Sequence, residues 1–251
     1  IQPWAKWFRQ LVQTRFRDKL MSTVVISGAS KGIGKAAAAQ FIDAGHRVFN
    51  LSRTPAVLPG IKNIQIDLAA PQAAQEVAAF ANSLESGVIH LVHNAARLTS
   101  ETVRSGDIDN FRAVIDINVV APQILNAALL PKMNAGSSII YVGSTLAEKA
   151  VPNSFSYVVT KHAMIGMMRA TCQDLAGSGI HTACVCPGFT NTEMLRAHVG
   201  DSQEILDSIA AGSSFGRLIE PTEIARTICF VADSPVINGA IIHANLGQIE
   251  H

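Results

Sequence analysis

A tyrosine and a lysine four residues apart are the first residues whose types and spacing suit a chemical reaction. Tyr157 and Lys161 share one face if the run between them is helical. A nearby ammonium stabilises the phenolate form of a tyrosine. Tyr157 can therefore donate a proton to a carbonyl oxygen, or accept one from an alcohol in the reverse direction. The pair predicts proton transfer coupled to carbonyl reduction or alcohol oxidation.

Two polar residues, Ser144 and Asn118, have side chains that suit the same reaction. Ser144 follows the apolar run Ser138–Val142, and its hydroxyl can orient the carbonyl oxygen and stabilise developing charge. Asn118 lies in a long helical pattern, where it can hold a water that links Lys161 to solvent. Taken singly, each residue also has an ordinary interpretation, because a loop serine is often a cap and an asparagine often a surface amide.

A glycine-rich turn lies upstream, between the apolar run Thr23–Ser27 and a helical pattern. Gly28 can make the tight turn, Gly32 lets the backbone approach a pyrophosphate, and Gly34 permits close packing of the helix on the strand. The helix N-terminus then offers free N–H groups and a positive dipole end to phosphates. Since glycines alone are weak evidence, the preceding strand and following helix carry the prediction of a dinucleotide site. The residues expected at the cofactor are Gly28, Ser30, Lys31, Gly32, Ile33 and Gly34.

The residues at the end of the second predicted strand bear on the choice of cofactor. An NAD site would place an acidic residue there for the ribose 2′-hydroxyl, but this chain has Ser52 and Arg53, with Lys31 in the glycine turn. Two cations favour a 2′-phosphate, so NADP(H) is expected over NAD(H), although both could be solvated surface charges. Asp67 and Leu68 are expected at the adenine, and Asp67 could equally cap the following segment.

Short β-rich runs alternate with longer helical patterns, and the motifs above follow predicted strands. This alternation predicts an α/β fold: a single-domain, Rossmann-type, doubly wound parallel sheet of about seven strands with helices on both faces. In such sheets ligands bind at the carboxyl ends of the strands. Strands are predicted at Thr23–Ser27, Arg47–Leu51, Ile64–Asp67, His90–His93, Ser138–Val142, His181–Cys186 and Ala240–His243. Helices are predicted at Gly34–Ala44, Pro71–Leu84, Ile108–Leu130, Ser154–Leu175 and Pro221–Ala232.

Together these motifs resemble the short-chain dehydrogenase/reductase family, in its shorter branch of roughly 250 residues. The resemblance covers nearly the whole chain from Thr23 to Gly247, and it implies a catalytic tetrad of an asparagine, a serine, a tyrosine and a lysine. The tetrad maps onto Asn118, Ser144, Tyr157 and Lys161, and Tyr157 and Lys161 are also expected at the cofactor. The remaining cofactor contacts that the resemblance implies are Asn94, Ala95, Pro187, Gly188, Thr190 and Thr192.

The chain departs from the family pattern at a few positions that carry no reacting group. His93 and Ala96 replace the more usual asparagine and glycine around Asn94-Ala95, and Leu246-Gly247 replaces a more usual Gly-Gly pair. Because no reacting group is lost, activity is still expected.

Composition excludes several other classes of protein. A net charge of +1 argues against a nucleic-acid partner, and 48% hydrophobic with 16% charged residues argues against disorder. The eight histidines and four cysteines show no metal-binding or disulfide spacing, so no metal and a cytoplasmic location are expected. The apolar runs are too short or interrupted for stable membrane insertion.

Residues 1–20 differ from the rest of the chain, because five basic residues stand against a single acidic one. Their tryptophans, phenylalanines and leucines recur at helical spacing, which is typical of a basic amphipathic helix that touches a membrane or a partner. Met21 follows directly, so the segment could instead be an upstream, dispensable extension. Residues 21–251 are expected to form the oxidoreductase domain, with a substrate lid at about 189–216.

Two hypotheses of function follow from these residues. The first is an NADP(H)-dependent oxidoreductase that transfers a hydride between nicotinamide and a small-molecule carbonyl or alcohol, with Tyr157 as the general acid or base. Its substrate could be a 3-oxoacyl thioester, or a small ketone, sugar or polycyclic alcohol. The alternative is a non-enzymatic NADP(H)-binding module that senses redox state. The apolar surplus on the two longest helices predicts a homodimer or homotetramer.

Overall fold

A parallel sheet of seven strands organises the computed structural model, which describes residues 21–249. The strand order is β3-β2-β1-β4-β5-β6-β7, and every neighbouring pair is parallel. The order reverses between β1 and β4, which opens a crevice at the carboxyl edge of the sheet. The strands are β1 (Thr23–Ser27), β2 (Arg47–Ser52), β3 (Lys62–Gln65), β4 (Ile89–His93), β5 (Ser138–Val142), β6 (His181–Pro187) and β7 (Ile241–Ala244).

Helices connect successive strands, except β2 and β3, and cover both faces of the sheet. They are α1 (Gly32–Asp43), α2 (Ala73–Asn82), α3 (Ile108–Ile115), α4 (Ala121–Leu129), α5 (Phe155–Asp174), α6 (Glu193–Val199), α7 (Gln203–Ala210) and α8 (Pro221–Ala232). The fold is therefore the predicted doubly wound α/β architecture. The predicted basic extension, residues 1–20, lies outside the described residues.

Each face of the sheet has its own hydrophobic core. On one face Leu91 and Ile139 pack with Leu125 of α4 and Met164 of α5. On the other face strand residues such as Val24 pack with α1 and α8. Five consecutive buried residues in β1, β4 and β5 show why these strands read as continuous apolar runs rather than alternating ones.

The long helix predicted at Ile108–Leu130 is interrupted. Residues Asp116–Val120 form a π-helix between α3 and α4. By length and composition the segment Ile108–Lys132 could cross a membrane, but Leu125 and Leu129 are buried against the sheet. A core helix of this kind passes the same compositional test.

The third predicted strand also differs from the structure, whereas the predicted lid stays a prediction. The sequence places the third strand at Ile64–Asp67, whereas β3 runs over Lys62–Gln65. Its pairing with β2 ends at Ser52↔Gln65, where β2 itself ends, so Asp67 lies in the following loop and not at a strand end. The segment predicted as a lid, residues 189–216, contains the helices α6 and α7.

Candidate active site

A cleft of about 750 Å³ opens at the carboxyl edge of the sheet. The glycine turn after β1 lines one end, and Tyr157 and Lys161 of α5 line it as well. The cleft therefore joins the predicted dinucleotide turn to the predicted proton-transfer pair. Other predicted residues along it are Ser30, Lys31, Ile33, Ser52, Arg53, Asp67, Leu68, Asn94, Ala95 and Thr192.

The glycine turn is held in a conformation that side chains would prevent. Gly28 and Gly32 have φ of 73° and 55°, in the left-handed region that favours glycine. A Cβ at Gly34 would lie 2.4 Å from both the Asn94 Nδ2 and the Gly28 carbonyl oxygen. The Asn94 amide donates to that same carbonyl over 2.7 Å. Asn94 thus supports the turn from beneath and closes the space where a side chain at position 34 would go.

Asn50 is a second support of the turn, and the sequence analysis did not identify it. Its Oδ1 accepts from the Ala29 N–H over 2.8 Å, and its Nδ2 donates to the Asn63 Oδ1 over 2.9 Å. The residue is 1% exposed. The available signal was a polar residue inside the apolar strand β2, since buried amides normally have specific partners.

The two predicted cofactor cations are exposed along the cleft. No carboxylate pairs with Lys31 or Arg53 among residues 21–249, which fits a place for an anionic group. Asp67 is also exposed, and its Oδ1 accepts from the Ala69 N–H over 3.1 Å. The structure therefore supports the local turn-capping interpretation of Asp67, while its lining of the cleft keeps the adenine contact as a prediction.

Tyr157 and Lys161 lie side by side on α5, as their spacing predicts. The Lys161 Nζ is 5.3 Å from the centre of the Tyr157 ring, and it donates to the Val142 carbonyl at the end of β5 over 2.7 Å. Lys161 is 2% exposed. The helix thus places an ammonium, largely removed from water, next to a phenol that faces the cleft.

Asn118 lies in the π-helix with its side chain fully buried. Its Oδ1 accepts from the Arg97 N–H over 2.8 Å, and its Nδ2 donates to the Arg97 carbonyl and to the Thr160 Oγ1. The amide therefore fastens the loop after β4 to α5, in the turn between Tyr157 and Lys161. The water link expected from this residue stays a prediction.

Ser144 and Thr192 combine a local structural contact with a place near the cleft. The Ser144 Oγ accepts from the Leu146 N–H over 3.1 Å, which leaves its hydroxyl hydrogen for another acceptor. Thr192 caps α6 and lies opposite the glycine turn, 3.3 Å from where a Cβ of Gly32 would be. Thr190 is buried and its Oγ1 donates to the Gly188 carbonyl, just beyond Pro187 at the end of β6. Thr192 lines the cleft, whereas Ser144, Pro187, Gly188 and Thr190 are not among its lining residues.

Known proteins are similar to this chain in sequence and in fold. A family profile described as enoyl-(acyl carrier protein) reductase matches residues 28–248, and a solved short chain dehydrogenase family protein from Francisella tularensis has a TM-score of 0.83. The chain belongs to the short-chain dehydrogenase/reductase family. The Francisella protein is 28% identical, with 90% of this chain and 98% of that chain covered.

Two of the relatives that match the chain are named as reductases of different substrates. The chain is 27% identical to NADPH-dependent aldehyde reductase 2, chloroplastic, of Arabidopsis thaliana, over 89% of this chain and 92% of that protein. It is 28% identical to a 3-oxoacyl-(acyl-carrier-protein) reductase of Staphylococcus aureus, over 92% of this chain and 99% of that protein. Family membership makes the chain a hydride-transfer oxidoreductase.

His93, where this short-chain dehydrogenase departs from the family pattern, is part of a buried polar chain. Its Nε2 donates to the Asn126 Oδ1 over 2.8 Å, and the Asn126 Nδ2 donates to the Tyr141 hydroxyl over 2.8 Å. The His93 Nδ1 is buried without a hydrogen-bond partner. Burial lowers the pKa of His93 to about 4, against a smaller raising effect of Asn126. The imidazole is therefore neutral in the folded protein.

We expect His93 to make folding sensitive to mild acid. An unfolded histidine takes up its proton near pH ~6.5, before the folded one does, so stability falls as the pH drops from there towards 4. Between pH 7.5 and pH 5 the loss is about 2 kcal/mol. Urea unfolding at both pH values should show a smaller loss for His93→Asn. The exposed His162→Asn is the control, and equal pH dependence in His93→Asn and wild type would contradict the prediction.

Gly143 joins the strand end to Ser144, and two thiols pack directly against it. The sulfur atoms of Cys184 and Cys186 are 3.8 Å apart and buried. A Cβ at Gly143 would lie 2.7 Å and 2.9 Å from them. The two cysteines of β6 therefore act as core residues, and their sulfur atoms leave no room for a side chain at Gly143, next to Ser144. Within residues 21–249 no group of histidine, cysteine or acidic side chains is arranged to hold a metal ion.

Proposed function

We propose that this protein is an NADP(H)-dependent oxidoreductase that interconverts a small-molecule carbonyl and its alcohol, with Tyr157 as general acid or base. The observation that carries the proposal is the single cleft that both the glycine turn and the Tyr157–Lys161 pair line. A cofactor bound on the turn would extend along this cleft towards the phenol. Its relative from Arabidopsis is named as NADPH-dependent, which supports the same choice of cofactor.

The residues of the glycine turn and of the end of β2 fit a dinucleotide cofactor that carries a 2′-phosphate. Gly28, Gly32 and Gly34 leave the turn without side chains, so the N-terminus of α1 can approach a pyrophosphate. Lys31 and Arg53 supply two cations for a 2′-phosphate at the end of β2. The bound cofactor supplies the hydride.

Side chains of the protein transfer the proton and stabilise the charge that develops. Tyr157 gives its hydroxyl proton to the carbonyl oxygen as the alcohol forms, and the Lys161 ammonium stabilises the phenolate left behind. The hydroxyl hydrogen of Ser144 is free to bind the same oxygen. In the reverse direction the phenolate accepts the alcohol proton.

The first test follows NADPH absorbance across ketones, aldehydes and 3-oxoacyl thioesters. Turnover of at least one carbonyl is expected in wild type. Tight NADPH binding with no turnover of any member would contradict the enzymatic proposal and favour a redox-sensing module.

Cofactor preference gives a second test. Arg53→Asp removes a cation and adds an anion where the 2′-phosphate is proposed to bind, so NADPH affinity should fall by about ten- to a hundredfold. NADH affinity should hold or rise, because the new carboxylate can accept from the ribose 2′-hydroxyl. Isothermal titration with both cofactors measures this. Arg104→Asp, at an exposed position away from the cleft, makes the same charge change as a control, and a parallel loss in both variants would contradict the assignment.

We also propose a cytoplasmic location and a homo-oligomer. The four cysteines are all free, as a reducing compartment would have them. Ile108, Val120, Phe155 and Val159 are exposed on the helices between β4 and β6, and apolar side chains on one surface are typical of a contact between copies.

A further inference from the structure

Arg97 faces the same cleft as Tyr157 with most of its hydrogen-bonding capacity unused. Its Nη2 donates to the Asn110 Oδ1 over 2.9 Å, which accounts for one of five guanidinium N–H groups. Arg112, Arg196 and Arg217 pair with acidic side chains, whereas within the described part of the chain Arg53 and Arg104, like Arg97, do not. Among residues 21–249 no carboxylate pairs with Arg97. A cleft-facing guanidinium without a counter-ion is suited to an anion from outside the chain.

The Arg97 side chain is exposed, and a part-buried network of hydrogen bonds positions it. The Asn110 Nδ2 donates to the Glu101 Oε2 over 2.6 Å and to the Thr99 Oγ1 over 3.1 Å. These two bonds orient the Asn110 amide so that its oxygen, Oδ1, accepts from Arg97. Glu101 is 7% exposed, and its Oε1 accepts from the Ser156 N–H at the start of α5 over 3.1 Å. The network therefore ties the guanidinium to the helix that carries the proton-transfer pair.

The Arg97 backbone is fixed to the same helix by a second route. Asn118 bonds both its N–H and its carbonyl, and also bonds the Thr160 Oγ1. Because Ser156 and Thr160 flank Tyr157, both ends of Arg97 are set relative to the phenol. This is the preorganisation that binding one group of a substrate at a defined distance requires.

Other polar groups that line the cleft suit the same kind of ligand. Ser100 and His198 line the cleft and contact each other, with the Ser100 Oγ 3.2 Å from the His198 Nδ1. The acidic residue of α6 that lines the cleft, Glu193, lies at the cofactor end. Its Oε2 is 3.7 Å from where a Cβ of Gly32 would be.

We propose that Arg97 anchors an anionic group, a carboxylate or a phosphate, on the carbonyl substrate. This rests on the proposed function and names its substrate class: an aldehyde or ketone with a negative charge at its far end. A guanidinium can bind either group through two parallel hydrogen bonds. Arg97 would hold this charged end while the carbonyl lies at Tyr157.

Matched substrates that differ in charge test the proposal. We compare succinic semialdehyde with butanal, and dihydroxyacetone phosphate with dihydroxyacetone, so that the two pairs distinguish a carboxylate from a phosphate. Wild type should favour the anionic member of one pair by at least about tenfold in kcat/KM. Arg97→Gln should lose that preference through KM while turning over the neutral member within about twofold of wild type. Arg97→Lys should retain part of it, because a lysine keeps the charge but not the fork.

Asn110→Ala tests the positioning network, and Arg104→Gln is the matched control. Asn110→Ala should weaken the preference for the anionic substrate by a smaller factor than Arg97→Gln. The guanidinium keeps its charge in this variant but loses the hydrogen bond that positions it. Arg104→Gln should leave the preference unchanged. An equal kcat/KM for both members of each pair in wild type would overturn the proposal. So would an equal loss for charged and neutral substrates in Arg97→Gln, or a loss confined to NADPH affinity.

Binding separates failure of this proposal from failure of the proposed function. If wild type with NADPH turns over no carbonyl, the proposed function fails, and titration with succinate and inorganic phosphate still tests Arg97. Binding of either anion that Arg97→Gln weakens at least about tenfold would support the anion site. No binding of either anion, or equal binding by both proteins, would overturn it.

Discussion

Tyr157→Phe is expected to lower kcat by about 10²- to 10⁴-fold, since positioned general acids contribute about that much. The substitution removes only the hydroxyl, so the ring 5.3 Å from the Lys161 Nζ can keep its place. NADPH affinity should therefore change little. The measurement is NADPH oxidation at saturating carbonyl, with cofactor titration on the same preparation.

The chain offers a matched control for this experiment, because it contains two tyrosines. Tyr141 is buried, and its hydroxyl lies 2.8 Å from the Asn126 Nδ2 and 3.1 Å from the Thr171 Oγ1. Tyr141→Phe leaves a buried amide donor without its partner, which should cost about 1–3 kcal/mol of stability. Its kcat should stay close to that of wild type. A Tyr157→Phe enzyme with near-normal kcat would assign the proton transfer to another group.

Gly34→Ala is expected to remove cofactor binding and to lower stability by about 1–3 kcal/mol or more. The added methyl would lie 2.4 Å from the Asn94 Nδ2 and from the Gly28 carbonyl oxygen. Neither neighbour can simply move away, because the two bond each other over 2.7 Å. Relief of the clash requires the turn to lift from β4, and this movement displaces the backbone proposed to hold the pyrophosphate. NADPH titration and urea unfolding measure the two effects.

A second glycine inside a helix provides the control for Gly34. Gly166 lies in α5, and apart from its chain neighbours and the backbone of its own helix nothing lies within 4 Å of an added Cβ. Gly166→Ala should stabilise the protein by up to about 1 kcal/mol, because alanine favours the helix, and NADPH binding should be unaffected. Equal stability and cofactor affinity in Gly34→Ala and wild type would show that the turn is not held as described.

The sequence predicted the parts of this molecule in which local pattern and tertiary role agree. Buried parallel strands read as continuous apolar runs, so β1 and β5 have their predicted bounds. The glycine turn and the Tyr157–Lys161 pair are also local patterns, since each needs only a few neighbouring residues in one element. The structure adds that they share one cleft.

Interactions between residues that are far apart in the sequence could not be predicted from local patterns. Glu101 and Asn110 carry no periodic signal, and their role depends on a hydrogen bond to Ser156, 55 positions along the chain from Glu101. A glutamate in a polar loop reads as an exposed charge, and only the fold buries it. The third strand was misplaced because an edge strand with exposed residues lacks the apolar signal that marks a central one.

The π-helix at Asp116–Val120 also restricts which changes of length this part of the chain tolerates. A π-helical turn holds more residues than an α-helical one, so the segment contains an insertion that the packing has absorbed. Deleting one residue there would restore regular α-helical winding and leave Leu125 and Leu129 on the face that they now bury. The same deletion within α4 would instead rotate the rest of that helix by about 100°. A deletion within Asp116–Val120 would therefore spare the core but move Asn118, whose amide bonds Arg97 and Thr160.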